Sequence, residues 1–500
     1  MQSNSKTIDR GPMPAGSPDN AHFASLKTNW AQFGALVSVF FFWGFIAASN
    51  DILIPVFQEA FSLSPTASQF VSLAFYVAYT VGSVIYVCIS KMLGVDILNC
   101  IGYKNGICLG LLISAVGTSM FYLAAQSGTL NLMLSGLFVV GLGFSLQQIA
   151  ANPLAIVLGD IKTSSQRLIL AGGVNNLGTT IGPLLVSLAI FGHSTGTHEH
   201  VAIDSVKTPY LVLTLAFVAV AIILKLSSLP NHIAPVIHND DNKSTGAEKK
   251  SAFHYPQLVG GMLAIFFYVG VEVATASNLP QYLRQNLGVL TQDVAPYISL
   301  YWASLMMGRW TGAVGVFETG ENIRKLLKFV TPYLAFCVFL AVNAIAGHHI
   351  SQFFVYVFVV IAMVVADLLS KGNPAKILLY FSICAICALI IGMNTSGIVS
   401  AYSFISVGLF CSALWPCIFT LALSGLGKNM NQGSSLLIMM IMGGGIVSTL
   451  QGVVAAHIGI QASYIVGVGC FVYLAAYAIF VTRTLRKQGI SLDHSAACLA

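Results

Sequence analysis

The sequence predicts an all-α polytopic membrane protein, and three observations carry that reading. Only 8% of its 500 residues are charged and 56% are hydrophobic, whereas an ordinary soluble domain carries about 25% charge. The hydrophobic residues gather into runs of about 17–25, the length of a helix that crosses a bilayer. Almost all of the 23 Lys and Arg residues fall in every second connecting segment. This composition excludes a soluble enzyme, a disordered chain and a nucleic-acid-binding protein. No stretch alternates polar and apolar residues over strands of about ten, so a membrane barrel is excluded too.

Taken in order, fourteen spans are expected at 32–56, 69–90, 106–126, 131–155, 168–192, 209–229, 257–280, 295–316, 327–346, 351–369, 377–394, 398–422, 435–455 and 463–482. Residues 1–31 form a polar tail. Its first 27 residues lack an apolar core, so no cleaved signal peptide is expected. Residues 32–229 make a first half of six helices, and 230–256 a charged linker containing Asp240, Asp241 and Lys243. Residues 257–482 make the second half, and 483–500 a second tail. The ten cysteines lie nearly all inside apolar runs and read as small hydrophobes, not as a disulfide framework.

Charge placement orients the chain. With the N-terminus inside, 21 of the 23 basic residues lie in inside segments, and only Lys207 and Arg284 lie outside. Losing any one span from the count would invert everything after it. The bias therefore supports an even number of spans, both termini in the cytoplasm and an inner (cell) membrane location.

An internal repeat divides the chain. Phe41-Phe42-Trp43 opens a stretch ending at Pro55, and Phe266-Phe267-Tyr268 opens one ending at Pro280, each 225 positions later. Asn152-Pro153 and Trp415-Pro416 place equivalent prolines 263 apart. The larger offset requires an inserted helical hairpin in the second half, and 327–369 is its expected place. Repeated halves around a midplane site are a common build of secondary transporters.

Few ionisable residues lie deep in these spans. Asp51 sits in the first, Glu272 near the middle of the seventh, and Asp367 at the end of the tenth, where it can reach the interface. A charge at the bilayer centre costs on the order of 2.5–3.5 kcal/mol, so Asp51 and Glu272 are candidates to bind a proton or another cation. The plainer reading is a carboxyl held neutral or hydrogen-bonded between helices. A second set is uncharged: Asn50, Gln147, Gln148, Asn152, Asn175, Asn176, Asn278 and Gln281. Amides in membrane helices commonly bond helix to helix. Combined with rings such as Trp43, Tyr76, Tyr79, Trp302 and Trp415, they also match a sugar, whose hydroxyls donate and accept and whose flat faces pack on aromatics. Cys384 and Cys387 lie within an apolar helix, and His198-Glu199-His200 has no third ligand nearby, so no metal site is expected. No phosphate-binding loop is present, and no cofactor is implied.

Several of these stretches match a known family. Phe41-Phe42-Trp43-Gly44-Phe45 leading into Ser49-Asn50-Asp51-Ile52-Leu53-Ile54-Pro55 resembles the first helix of the fucose–galactose–glucose:proton symporters of the major facilitator superfamily. Ala150-Ala151-Asn152-Pro153, Gln166-Arg167-Leu168 with Asn175 and Gly178, Tyr268-Val269-Gly270-Val271-Glu272-Val273, Gly308-Arg309 and Gln432-Gly433-Ser434-Ser435 are similar to it as well. The Val-Gly-Val-Glu-Val stretch resembles the glucose/galactose branch. The resemblance implies two six-helix halves that alternate access around a central sugar, driven by a proton, with Asp51 and Asn175 at family positions. It also implies partners: a sugar, a proton and the lipid bilayer. Two departures stand out. Gln148 occupies a position where the family often has a carboxylate. The loop between the second and third spans keeps Asp96 and Gly102-Tyr103-Lys104 of a gating motif but has Cys100 in place of a basic residue.

The expected function is therefore import of a hexose such as glucose or galactose together with a proton. Coupling to sodium, with Asp51, Glu272 and amide oxygens as ligands, is the near alternative, and fucose is an alternative substrate. A membrane-embedded enzyme on lipid-linked sugars and a non-transporting sugar sensor are the rivals from other classes. The short loops, poor in acids and metal ligands, disfavour the enzyme.

Overall fold

A computed structural model describes residues 28–94, 97–159, 164–191, 206–231, 252–317, 320–370, 373–426 and 430–490. The tails, the outside loop with His198, most of the linker and Asp96 lie outside the described residues. Among the described residues fourteen helices cross the molecule, beginning with α1 (Trp30–Ala60), α2 (Phe70–Leu93), α3 (Tyr103–Ser127), α4 (Leu130–Val157), α5 (Ser164–Phe191), α6 (Lys207–Leu226) and α7 (Pro256–Leu287). The series continues with α8 (Ala295–Ala313), α9 (Glu321–Ile345), α10 (Tyr356–Ser370) and α11 (Pro374–Asn394). The last three are broken or capped by turns: α12 (Gly397–Cys411, continued by Leu414–Leu423), α13 (Met430–Met439, continued by Gly443–Ile458) and α14 (Ile465–Lys487).

Thirteen of the described helices are long and apolar enough to cross a membrane, and α8 is the exception. Its polarity follows from its position. Every residue of α8 from Ala295 to Met307 is buried within the protein, so this stretch is shielded from lipid and can carry Ser299, Tyr301 and Ser304. The outer helices show the opposite pattern. Phe329 and Leu334 of α9, and Phe358 and Leu368 of α10, are exposed on a chain with no aqueous need for them. They belong against lipid tails. The chain is a multi-pass membrane protein.

The two halves pack by one plan. In the first, α1 packs on α5, α2 on α4, and α3 on both α4 and α6. In the second, α7 packs on α13, α8 on α12, and α11 on both α12 and α14. Helices α9 and α10 have no counterpart in the first half. They stand outside α8 and α11 and touch each other little. Two close approaches make the correspondence quantitative. A Cβ at Gly178 would lie 2.1 Å from the Phe41 carbonyl oxygen, and one at Gly443 would lie 2.0 Å from the Phe266 carbonyl oxygen. Phe41 and Phe266 are 225 positions apart, while the two glycines are 265 apart. Forty additional residues, one hairpin's worth, therefore lie between α7 and α13.

The halves meet along α5–α8 and α2–α13. Polar links between them gather toward the side away from the chain ends, here the far side. There Arg284 of α7 stands 4.0 Å from the Glu59 carboxylate of α1. The Thr291 hydroxyl donates to the same carboxylate at 3.3 Å. Gln69 donates to the Ser277 carbonyl at 3.4 Å, and Ser187 to the Gln292 carbonyl at 3.4 Å. These links join the two halves on the far side. On the chain-end side the loop before α3 is tied within its own half: the Tyr103 amide donates to the Asn231 carbonyl at 2.7 Å, and Lys225 to the Asn105 side chain at 2.6 Å.

Candidate functional site

The deep polar residues separate into three groups. The first is structural. The Trp43 indole donates to the Gln147 side-chain oxygen at 2.7 Å, and the Gln147 amide donates to the Ser114 hydroxyl at 3.0 Å. This chain ties α1, α4 and α3 together and uses both ends of Gln147. The sequence offered Trp43 and Gln147 as sugar contacts; in the structure their polar atoms bond within the first half. Asn176 donates to Thr179 at 3.2 Å on its own helix, with its side-chain oxygen left without a partner. Asn175 donates to the Phe40 carbonyl at 2.9 Å, a bond between α5 and α1.

The second group lies centrally, where α1, α2, α4, α7 and α8 converge. Asp51 is 3% exposed and Trp302 is 4% exposed. The Trp302 indole N–H donates to the Asp51 carboxylate at 2.9 Å. That bond joins the first half to the second. Tyr76 of α2 lies within the electrostatic reach of both Asp51 and Glu272. Its ring stacks beside Tyr79 at 6.2 Å, and the Tyr79 hydroxyl accepts from Gln148 at 3.3 Å. Gln148 thus occupies the expected carboxylate position without bringing a charge. Glu272 has a buried carboxylate oxygen without a hydrogen bond of good geometry, and the Tyr268 hydroxyl faces that carboxylate. The Tyr301 hydroxyl donates to the Glu272 backbone carbonyl at 2.7 Å, which fixes α7 against α8. Trp415 of α12 is part-buried, with Tyr268 at 6.3 Å and Phe419 stacked at 5.9 Å. Asn152 is part-exposed on α4.

The third group is buried amides without full partners, of which Asn278 and Gln281 lie toward the far side and Asn50 beside Asp51. Asn50 is buried with neither side-chain atom bonded, and Asn278 keeps an unpaired oxygen although its amide bonds Ala274 in the same helix. Gln281 lines a far-side cavity of about 470 Å³ together with Gln58, Glu59, Arg284 and Gln285. It stands nine residues beyond Glu272, about 13 Å along the helix axis. The structure therefore does not bring Gln281 to the central group.

The two deep carboxylates differ in surroundings. Asp51 has one specific partner, a neutral donor. Glu272 feels the Arg309 guanidinium of α8. In the sequence Arg309 counts among the loop charges. In the structure it lies inside α8 opposite Gly172, where the missing side chain on α5 leaves it room. The adjacent Trp310 indole donates to the Gly173 carbonyl at 3.1 Å, closing α8 on α5. Among the described residues no group of His, Cys, Asp and Glu could hold a metal ion.

With this geometry in hand, comparison with known proteins is specific. Residues 31–370 match the family model of the Major Facilitator Superfamily. A glucose/galactose transporter of Brucella abortus biovar 1 (strain 9-941) is 30% identical over 474 residues, covering 94% of this chain and 99% of that protein. The L-fucose-proton symporter of Escherichia coli (strain K12) is 26% identical, covering 90% and 93%. A crystal structure of the Escherichia coli fucose:proton symporter superposes with a TM-score of 0.59 at 25% identity, covering 90% of this chain and 98% of that one. These relatives are transporters and not enzymes, and the halves described above repeat their fold. The chain belongs to the major facilitator superfamily, in its fucose–galactose–glucose symporter family.

Proposed function

We propose that the protein imports a hexose, glucose or galactose, together with a proton, across a cytoplasmic membrane by alternating access. The observation that carries this reading is Asp51, a carboxylate buried at the junction of the two halves with no cation acting on it among the described residues. Ionised, it costs several kcal/mol in such a place; protonated, it does not. Protonation thus changes the free energy of the closed core, which is what coupling requires. Glu272 has a different role. Its buried carboxylate offers an unpaired oxygen to sugar hydroxyls, beside Tyr268, whose ring lies 6.3 Å from that of Trp415; Gln148, Asn152 and Asn175 are the further sugar contacts proposed. A membrane potential adds about 2.3 kcal/mol per 100 mV for each charge moved.

A second reading, sodium coupling, is favoured by one observation. The side-chain oxygens of Asn50 and Asn278 are buried, unpartnered and on α1 and α7, and neutral oxygens are ligands for a hard cation. The discriminating experiment is uptake of labelled glucose, galactose and fucose into proteoliposomes under an imposed pH gradient and, separately, an imposed sodium gradient. Accumulation of glucose or galactose with the pH gradient alone supports the proton reading. Accumulation that follows only the sodium gradient overturns it.

The orientation proposed is chain ends inside, on the strength of the basic-residue bias. A reporter inserted within 193–208 is expected to read as external and one within 236–250 as internal. Reporters on one common side would contradict both the orientation and the span count.

A further inference from the structure

We infer that Trp302 is the positioning residue that gives ionised Asp51 a partner when the core is closed, and so permits the empty carrier to return without its proton. This rests on the coupling role given above to Asp51. The bond from the Trp302 indole to the Asp51 carboxylate, 2.9 Å long, has its donor in one half and its acceptor in the other. α1 and α8 share little else, so the bond is not incidental to a broad interface.

The indole is held by its own half. The neighbouring Tyr301 ring lies edge-on to it at 5.4 Å, and the Tyr301 hydroxyl bonds the Glu272 carbonyl at 2.7 Å. One turn away, the Ser304 and Tyr356 hydroxyls share a bond of 2.8 Å. Trp302 therefore presents its N–H at a place fixed by α7, α8 and α10, and Asp51 reaches it from the other half in this conformation.

The choice of side chain matters. Indole is a donor only and neutral at every pH. It bonds an ionised carboxylate strongly, since charge-assisted bonds are roughly twice as strong as neutral ones. Yet it adds no positive charge that would hold the carboxylate permanently ionised, as Arg or Lys would. The titratable groups facing Asp51 are Tyr76 from α2 and Tyr301 from α8. Glu272 of α7 acts on both tyrosines, and Arg309 acts on Glu272. Trp302 is the hydrogen-bond donor in this set that serves Asp51 directly.

The test is Trp302→Phe beside Trp302→Gln in reconstituted vesicles. Phe keeps a ring and removes the donor; Gln removes the ring and returns a donor. Sugar exchange, which needs no empty return, is expected to persist in both at near the wild-type apparent affinity. Net pH-driven uptake is expected to slow about tenfold in Trp302→Phe, the scale of a lost charge-assisted bond. Its pH profile should also move to more alkaline values, and Trp302→Gln should recover part of both. Wild-type net uptake and pH profile in Trp302→Phe would overturn the inference. Equal loss of exchange and net uptake in both variants would overturn it too, because that pattern belongs to a packing or sugar-stacking residue. If wild-type protein exchanges sugar but ignores the pH gradient, the coupling reading of Asp51 fails instead.

Discussion

Asp51→Asn is expected to leave sugar exchange running and to abolish uphill accumulation. Asparagine keeps the size of the side chain and an oxygen that can accept from Trp302, but it fixes the site in a neutral state resembling the protonated acid. The loaded carrier crosses with the proton on, so exchange does not need Asp51 to ionise. Driven accumulation does need it, because the proton must be released on one side and taken up on the other. For one proton per sugar, each pH unit supports about tenfold accumulation, or about 1.4 kcal/mol. The variant should show none, and its exchange should lose pH dependence. Glu272→Gln should behave differently. It weakens an acceptor for sugar hydroxyls, so apparent affinity should fall about tenfold or more while accumulation at saturating sugar persists. Exchange and gradient-driven uptake measured side by side separate the two carboxylates. Full accumulation by Asp51→Asn would remove it from the coupling role.

The largest structural effect is expected at the helix crossings. Gly178→Ala and Gly443→Ala each place a methyl about where a backbone carbonyl oxygen of the facing helix already lies, 2.1 Å and 2.0 Å away. Neither Phe41 nor Phe266 can move its carbonyl without moving its helix. Each substitution should force α5 from α1, or α13 from α7. The first would also strain the Asn175–Phe40 bond. A cost of about 1–3 kcal/mol or more per site is expected from overpacking. Gly469→Ala on α14 is the control, since nothing lies within 4 Å of its added Cβ. There alanine should be neutral or slightly stabilising, because glycine is a poor helix former. Thermal unfolding in detergent checks the contrast. Equal melting temperatures for all three variants would contradict the crossings described here.

The helices were legible because hydropathy and span length are local properties of the chain. Even α8, read as an apolar run at 295–316, was visible as a span although it is the least apolar, and the basic-residue bias needs a crossing there. The repeat was legible too: the Phe41–Phe266 offset read from the sequence reappears as matched crossings at Gly178 and Gly443. What stayed hidden was rotation. α1, α4 and α8 carry no distinct apolar stripe, so the pattern does not say which face of each meets which neighbour. Trp43 and Gln147 therefore read as candidate sugar contacts, and their bond to each other across 104 residues could not be read. Trp302 read as a stacking ring, when it serves Asp51 from 251 residues away. Arg309 read as a loop charge because its distance from Glu272 depends on how α7 and α8 face each other. The far-side link between Glu59 and Arg284 was missed for the same reason, since each is an ordinary charge at the end of its own helix.

The most direct measurement is the pH of a weakly buffered suspension of vesicles when sugar is added with no other gradient present. If Asp51 carries a proton with each sugar, adding glucose or galactose outside will raise the external pH transiently, without sodium, and a proton ionophore will abolish the signal. The Asp51→Asn protein will give no signal while still exchanging sugar. Sugar entry with no change in external pH, or a change that appears only with sodium, would contradict the account.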